Sequence, residues 1–200
     1  EPAYAKLDAA ETAATLNSQC KTDLIFANWV KRNTVAHRVS GYRIVNISLK
    51  ATGYAPGDIT DKQLELIADL ADKYSFGEVR STHQQNLVLA DVEQTQLKDL
   101  WHSLQKAGLA TANIGYLTDM ICCPGGDYCS LANAKSIPVA EAIQSRFDDM
   151  DYVYDLGPLE LNVSGCMHAR GHHHIGHIGI LGVDNKGQEF YQVSLGGHQG

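Results

Sequence analysis

Three cysteines in two glycine-rich turns are the residues of this chain best suited to do chemistry. Cys123-Pro-Gly-Gly-Asp-Tyr-Cys129 places two thiols six residues apart around a Pro-Gly-Gly turn. Such a turn lets backbone approach a bulky inorganic group, and its N–H groups can bond to sulfide. Cys166 follows 37 residues later, inside Ser164-Gly-Cys-Met-His-Ala-Arg-Gly171. Soft ligands on glycine turns suit an iron–sulfur cluster. Zinc competes, because three Cys and one His form a common structural set, although pairs two residues apart would favour it more. The full count of five cysteines is odd, which is awkward for a disulfide scaffold. Cys122 neighbours a candidate ligand and reads as packing, since adjacent side chains point to different faces. Cys20 reads as a small buried thiol.

The elements that must position these turns divide in two. Two helices are expected first, Asp8 to Leu16 and Thr22 to Val30, then a connector from Thr34 to Gly41. Tyr42 to Leu49 alternates polar and apolar residues and reads as a half-buried strand. Thr60 with Gln63 forms a capping box for a helix whose apolar face is Leu64, Ile67, Ala68 and Ala71. Gly77 to Thr82 and Asn86 to Leu89 read as strands. Glu93 to Ala107 reads as a helix with Leu97, Leu100, Trp101 and Leu104 inward and Gly108 at its end. Strand–helix–strand–strand–helix is the opening of a ferredoxin-like α+β unit. Beyond Ile114 glycine and cysteine rise. There a helix from Cys129 to Phe147, kinked or split by Pro138, a strand from Leu159 to Val163, and a hairpin of His177–Val183 with Glu189–Leu195 are expected. The expected organisation is a helical lead-in over 1–35, a ferredoxin-like unit over 36–110 and a third segment over 111–200.

Composition narrows the class. Hydrophobic residues make up 44 % and charged residues 20 %, which excludes a disordered or fibrous chain. The net charge is −7, which argues against nucleic acid, because phosphate binding needs clustered Lys and Arg. No apolar run approaches the roughly 18 residues of a membrane span, so no membrane partner is expected. A reducing, cytoplasmic setting suits the thiol cluster. The chain starts at Glu1 without a signal-like segment and ends just past a strand-like run, so a piece of a longer protein, truncated at its C-terminus, is expected.

Four stretches together resemble the siroheme-dependent nitrite and sulfite reductases, specifically bacterial assimilatory sulfite reductase hemoproteins (the beta subunit). They are Ile121–Pro138 with its Cys-x5-Cys, Asn162-Val-Ser-Gly-Cys166, Gly171–Gly182 and Tyr191-Gln-Val-Ser-Leu-Gly-Gly197. Arg80-Ser-Thr-His-Gln-Gln-Asn-Leu87 looks like the motif of that family's ferredoxin-like half-domain. The resemblance runs from about Thr22 to the end of the chain. It implies the second of two related halves: a ferredoxin-like half-domain followed by a siroheme- and [4Fe–4S]-binding α/β domain. It implies siroheme and a [4Fe–4S] cluster as cofactors. Cys123, Cys129 and Cys166 would be cluster ligands. The N-terminal half, which supplies the substrate-contacting Arg and Lys, would be a partner, so no catalytic residue is expected within this half. A flavoprotein or ferredoxin would donate electrons and a small anion would be substrate. The reaction implied is six-electron reduction of sulfite to sulfide, or of nitrite to ammonia.

The sequence departs from the family pattern at one decisive place. The pattern Cys-x5-Cys, Cys-x3-Cys puts a bridging Cys at position 170, joining the cluster to the siroheme iron, and Arg170 stands there. A guanidinium has no lone pair to give iron. His168 occupies a turn position commonly held by Asn. Arg80, Thr82, Gln85 and Asn86 are expected near siroheme, whose eight carboxylates need polar and cationic neighbours, or else form an ordinary surface hairpin. Arg32, Arg38 and Arg43 are further cations of that kind. His172, His173, His174 and His177 suggest a metal site, a donor wall for siroheme carboxylates, or an exposed structural loop. Two classes of function stay open: the cluster- and siroheme-binding half of a reductase with an impaired cluster site, or a non-catalytic degenerate module that keeps the fold and binds a partner half or tetrapyrrole. The isolated chain is expected to be inactive under either.

Overall fold

The computed structural model describes residues 3–197. They form two compact units: the residues up to Leu49 with Ile59–Ile114, and Lys50–Asp58 with Gly115 onward. The loop of residues 50–58 thus belongs with the later part of the chain.

The first unit contains α1 (Ala9–Thr22), α2 (Leu24–Asn33), β1 (Thr34–Ala36), β2 (Tyr42–Ile47), α3 (Asp61–Tyr74), β3 (Arg80–Ser81), β4 (Leu87–Glu93) and α4 (Leu97–Lys106). Its sheet has the order β1-β2-β4-β3, antiparallel throughout. Val45 faces Leu89 and Ile47 faces Leu87 across the central pair. Phe26, Trp29, Val45, Ile47, Ile67, Leu89, Leu97, Leu100, Trp101 and Leu104 build one apolar core. The caps follow the sequence: the Asp23 side chain accepts from Phe26 N–H at 3.0 Å, and Thr60 with Gln63 forms the reciprocal box. Gly108 has φ +72° and ends α4, the left-handed conformation that glycine adopts without strain.

Several expected elements differ. The first two helices run to Thr22 and Asn33, because Asp23 acts as the break and cap between them. The connector after α2 contains β1, an edge strand whose Val35 and Ala36 are exposed and therefore carry no alternation signal. On α3 the buried stripe is Ile67, Leu70, Ala71 and Tyr74, while Leu64 and Ala68 are exposed. The helical period fits either stripe, and packing against the sheet selects one. The last helix opens as a 3-10 turn over Gln94–Gln96 before α4, and β3 is only two residues long.

The second unit contains β5 (Ile121–Cys122), α5 (Ile137–Arg146), α6 (Met150–Leu156), β6 (Leu161–Ser164), β7 (Ile178–Asn185) and β8 (Gln188–Leu195). The sheet order is β5-β6-β7-β8, parallel through β7, with β7 and β8 as the antiparallel hairpin. Leu117, Met120, Cys122, Ala140, Val153, Leu161, Val163 and Ile180 form its core. The helix expected from Cys129 starts only at Ile137. Pro138 sits in its first turn, where a missing N–H leaves nothing unpaired. Residues 129–136 are irregular instead. Asp149 caps the short α6, which periodicity did not reveal, and Gly157 at φ +78° closes it.

Candidate cofactor site

Two turns interlock at the carboxyl ends of the parallel strands β5 and β6. Cys123 N–H donates to Val163 O at 3.1 Å, carrying the chain one residue past β5. The chain then turns through Gly125, whose φ is +57° and whose added Cβ would lie 2.4 Å from Ser136 N. No larger residue fits there. The partner turn after β6 is equally tight: a Cβ on Gly165 would lie 2.8 Å from Gly125 Cα. Gly165 O accepts from Asn133 N–H at 2.9 Å and Ala134 N–H at 3.1 Å. Backbone therefore meets backbone, and glycine is what permits it.

This contact brings the three cysteines to one cavity. Cys123, Cys129 and Cys166 line it together with Leu131, His168 and Arg170. Cys123 and Cys166 are buried and Cys129 is half-buried. Cys123 Sγ accepts from Gly165 N–H at 3.1 Å and lies 3.5 Å from Ser136 Oγ. Cys166 Sγ lies 3.5 Å from His168 Nδ1. Arg170 is exposed, and its backbone place is fixed closely. Ala169 and His172 both have φ +55°, Gly171 N–H donates to Ser164 Oγ at 3.1 Å, and a Cβ on Gly171 would lie 2.0 Å from Val163 O.

The donor set does not fit a four-thiolate cluster bridged to a haem. Three thiols line the cavity, and Arg170, a permanent cation, lines it with them. The cavity measures about 20 Å³, room for about one water molecule. Among the described residues no three His, Cys, Asp or Glu side chains are grouped as a ready site for a metal ion.

The neighbouring candidates separate from this cavity. Cys122 points into the core, its thiol donates to Cys123 O at 3.2 Å, and burial pushes its pKa up to about 12. His177 Nδ1 accepts from Glu160 N–H at 3.0 Å, a structural contact. His173 and His174 line a separate cavity of about 370 Å³ with Gln192 and Ser194, and burial lowers the His173 pKa. His172 is exposed, and its carbonyl accepts from Asn162 Nδ2 at 2.9 Å.

Arg80, Thr82, Gln85 and Asn86 lie together on the β3–β4 turn of the first unit. Arg80 is exposed and its Nε donates to the Glu78 carboxylate. Gln85 has φ +59°, and its N–H donates to Thr82 O at 3.1 Å. Asn86 is buried: its N–H donates to Thr82 Oγ1 at 3.2 Å and its Oδ1 accepts from Leu49 N–H at 3.1 Å. Asn86 thus holds the turn to Leu49, two residues past the end of β2. Arg43 is engaged by Thr34 Oγ1 at 2.6 Å and Arg32 by Asn28 Oδ1 at 3.0 Å.

One buried charged pair had no sequence signal. Lys50 Nζ lies 3.7 Å from Asp119 Oδ1, with the Lys50 side chain fully buried. Burial lowers the Lys50 pKa to about 8, with Asp119 opposing the shift.

Residues 39–107 match the family model described as the nitrite/sulfite reductase ferredoxin-like half domain. That stretch, and most of the chain with it, is similar to nitrite and sulfite reductases. It is 29 % identical over 171 residues to a "Sulfite reductase [ferredoxin]" of Mycobacterium tuberculosis, a match covering 80 % of this chain and 31 % of the relative. It is 24 % identical to the "Ferredoxin--nitrite reductase" of Synechococcus elongatus, over 86 % of this chain and 34 % of that one. The solved structure of the Mycobacterium tuberculosis NirA protein superposes with a TM-score of 0.64 at 26 % identity, covering 82 % of this chain and 31 % of that one. Dissimilatory sulfite reductase I shares the fold, with a TM-score of 0.53 at 11 % identity. The chain spans about a third of the length of the curated relatives it matches. No helix among the described residues is long and apolar enough to cross a membrane.

Proposed function

We propose that this chain is the cluster- and siroheme-side half of an assimilatory sulfite or nitrite reductase whose cluster site is impaired at position 170. One observation carries the reading: Cys123, Cys129 and Cys166 line a single cavity, and Arg170 lines it with them. Arg80, Thr82, Gln85 and Asn86 are the proposed siroheme-side residues of the first unit. Siroheme, when bound, supplies the multi-electron chemistry at its iron, and the protein supplies orientation and cationic surroundings. The substrate is a small anion, sulfite or nitrite. The donor is a ferredoxin, in keeping with the names of the relatives, or a flavoprotein, and the setting is the cytoplasm. The N-terminal half of the enzyme supplies the substrate-contacting cations, so this chain by itself is inactive.

Arg170 favours one further reading, a degenerate module that keeps the fold and binds a partner half or tetrapyrrole without turnover. Anaerobic reconstitution with iron, sulfide and siroheme tests both. The expected product holds fewer than four irons per chain beyond the siroheme iron and shows no magnetic coupling between cluster and siroheme. Four non-haem irons with a coupled spectrum overturn the impairment. Sulfite turnover by this chain with reduced methyl viologen, at the rate of a whole reductase, overturns the assignment to one inactive half. Siroheme uptake with no iron beyond the siroheme's own supports the module.

A further inference from the structure

We propose that the segment 3–7 is a strap that opens and closes over the first unit, with Tyr4 as its latch, and that the socket it uncovers binds a phenol. The inference goes beyond the reductase reading and uses none of the residues assigned there.

Tyr4 is seated as a bound phenol would be. Its ring meets Tyr42 edge-on at 5.2 Å and Phe76 edge-on at 5.6 Å, and the His37 ring lies tilted at 5.5 Å. Edge-to-face contact is a preferred aromatic geometry. The Tyr4 hydroxyl donates to Asp91 Oδ1 at 2.7 Å. Asp91 is buried, and this hydrogen bond raises the Tyr4 pKa, so the hydroxyl stays a donor at neutral pH. Phe76 stands at φ +52°, a left-handed conformation that costs a non-glycine residue free energy. The socket is thus a set of aromatic walls with one carboxylate acceptor inside, which selects a ring that carries a hydroxyl.

The rest of the segment is fit to lift. Ala3, Ala5 and Lys6 are exposed, Tyr4 and Leu7 are half-buried, and residues 3–7 lie outside any helix or strand. Ala5 N–H donates to Tyr42 Oη at 3.1 Å. A segment held by so few groups belongs to the low-stability end of a fold. Two features allow it to lift without unfolding the unit. Asp8, next in the chain, caps α1 through Ala10 N–H at 2.9 Å and Glu11 N–H at 3.2 Å, so the helix keeps its cap. His37 keeps Asp91 paired. Val39 N–H donates to His37 Nδ1 at 2.9 Å, which in the neutral ring leaves the proton on Nε2, 3.2 Å from Asp91 Oδ1. The buried carboxylate therefore has a donor with the strap open or closed.

The test uses the whole chain. Trypsin cleavage after Lys6, timed by mass spectrometry, reads strap opening, and cleavage after Lys21 in α1 reads unfolding of the unit. Tyr4→Phe keeps the ring and loses the Asp91 contact, so cleavage after Lys6 is expected to rise about tenfold with Lys21 unchanged. An unchanged Lys6 rate overturns the latch, and an equal rise at both sites overturns the strap. Tyr4→Ala empties the socket. In that variant p-cresol is expected to shift the NMR signals of Tyr42, Phe76 and Asp91, and to bind about fivefold more tightly than toluene, which lacks the hydroxyl. Equal binding of the two overturns the role of Asp91. Binding of neither overturns the socket.

Discussion

Both units have an apolar core, but the candidate site of the second is held by a different means. The first is an apolar sandwich in which Phe26, Trp29, Leu100 and Leu104, all fully buried, pack helices on an antiparallel sheet. The second places its candidate site where two backbone turns touch, with Gly165 O taking two N–H groups and Gly125, Gly165 and Gly171 leaving no room for a Cβ. Apolar packing tolerates a change of shape if volume is kept. Backbone-on-backbone contact does not, because a single methyl displaces the chain itself. Substitutions should therefore act by volume in the two apolar cores and by any Cβ at all at the touching glycine turns of the second unit.

The largest effect is expected from Trp29→Ala, which empties a fully buried site and should destabilise the first unit by about 3–5 kcal/mol. Hydrogen exchange should show protection lost across β2 and β4 and kept in β6 and β7. Loss of protection in both units to the same degree would erase the contrast. Next, Asp119→Asn leaves Lys50 buried without its carboxylate partner and should cost about 3 kcal/mol by chemical denaturation. Replacing Lys50 with Met as well should recover most of that, and a double-mutant cycle gives the coupling.

Gly165→Ala is a single added methyl, expected to cost about 2 kcal/mol because its Cβ meets Gly125 Cα. It should also disturb the Gly165 N–H contact with Cys123, so Cys123 should react faster with a thiol reagent while Cys20 is unchanged. An unchanged Cys123 rate would mean that the turns are not mutually locked.

The smallest effect is a pH dependence within the second unit. Lys50 has its pKa lowered from 10.5 to about 8, so between those values the unfolded chain binds more protons and stability rises with pH. Cys122 has its pKa raised from 9.0 to about 12, so there the folded chain keeps the proton and stability falls with pH. The two slopes should leave a rise of about 1 kcal/mol between pH 8 and 9, then near cancellation up to pH 10.5. Cys122→Ala should turn that plateau into a continued rise. Identical profiles for the variant and the parent chain would show that Cys122 does not titrate from the core.

Much of this was legible without coordinates where the signal is local. The Thr60–Gln63 box, the Gly108 stop, the inward Leu97, Leu100, Trp101 and Leu104, and the β7–β8 hairpin all rest on residues a few positions apart. So did the interest of Cys123, Cys129 and Cys166, because thiols on glycine turns carry a chemistry of their own. What the sequence by itself determined, then, is the inventory of turns, caps and reactive groups. The tertiary structure decided which stripe of α3 is buried, that residues 129–136 stay irregular, that Lys50 goes inside against Asp119, and that the cavity between the cysteines has room for about one water. Each of these depends on contacts between residues far apart in the chain. Local propensity cannot rank them, because the free energy of burial is set by what arrives on the other side.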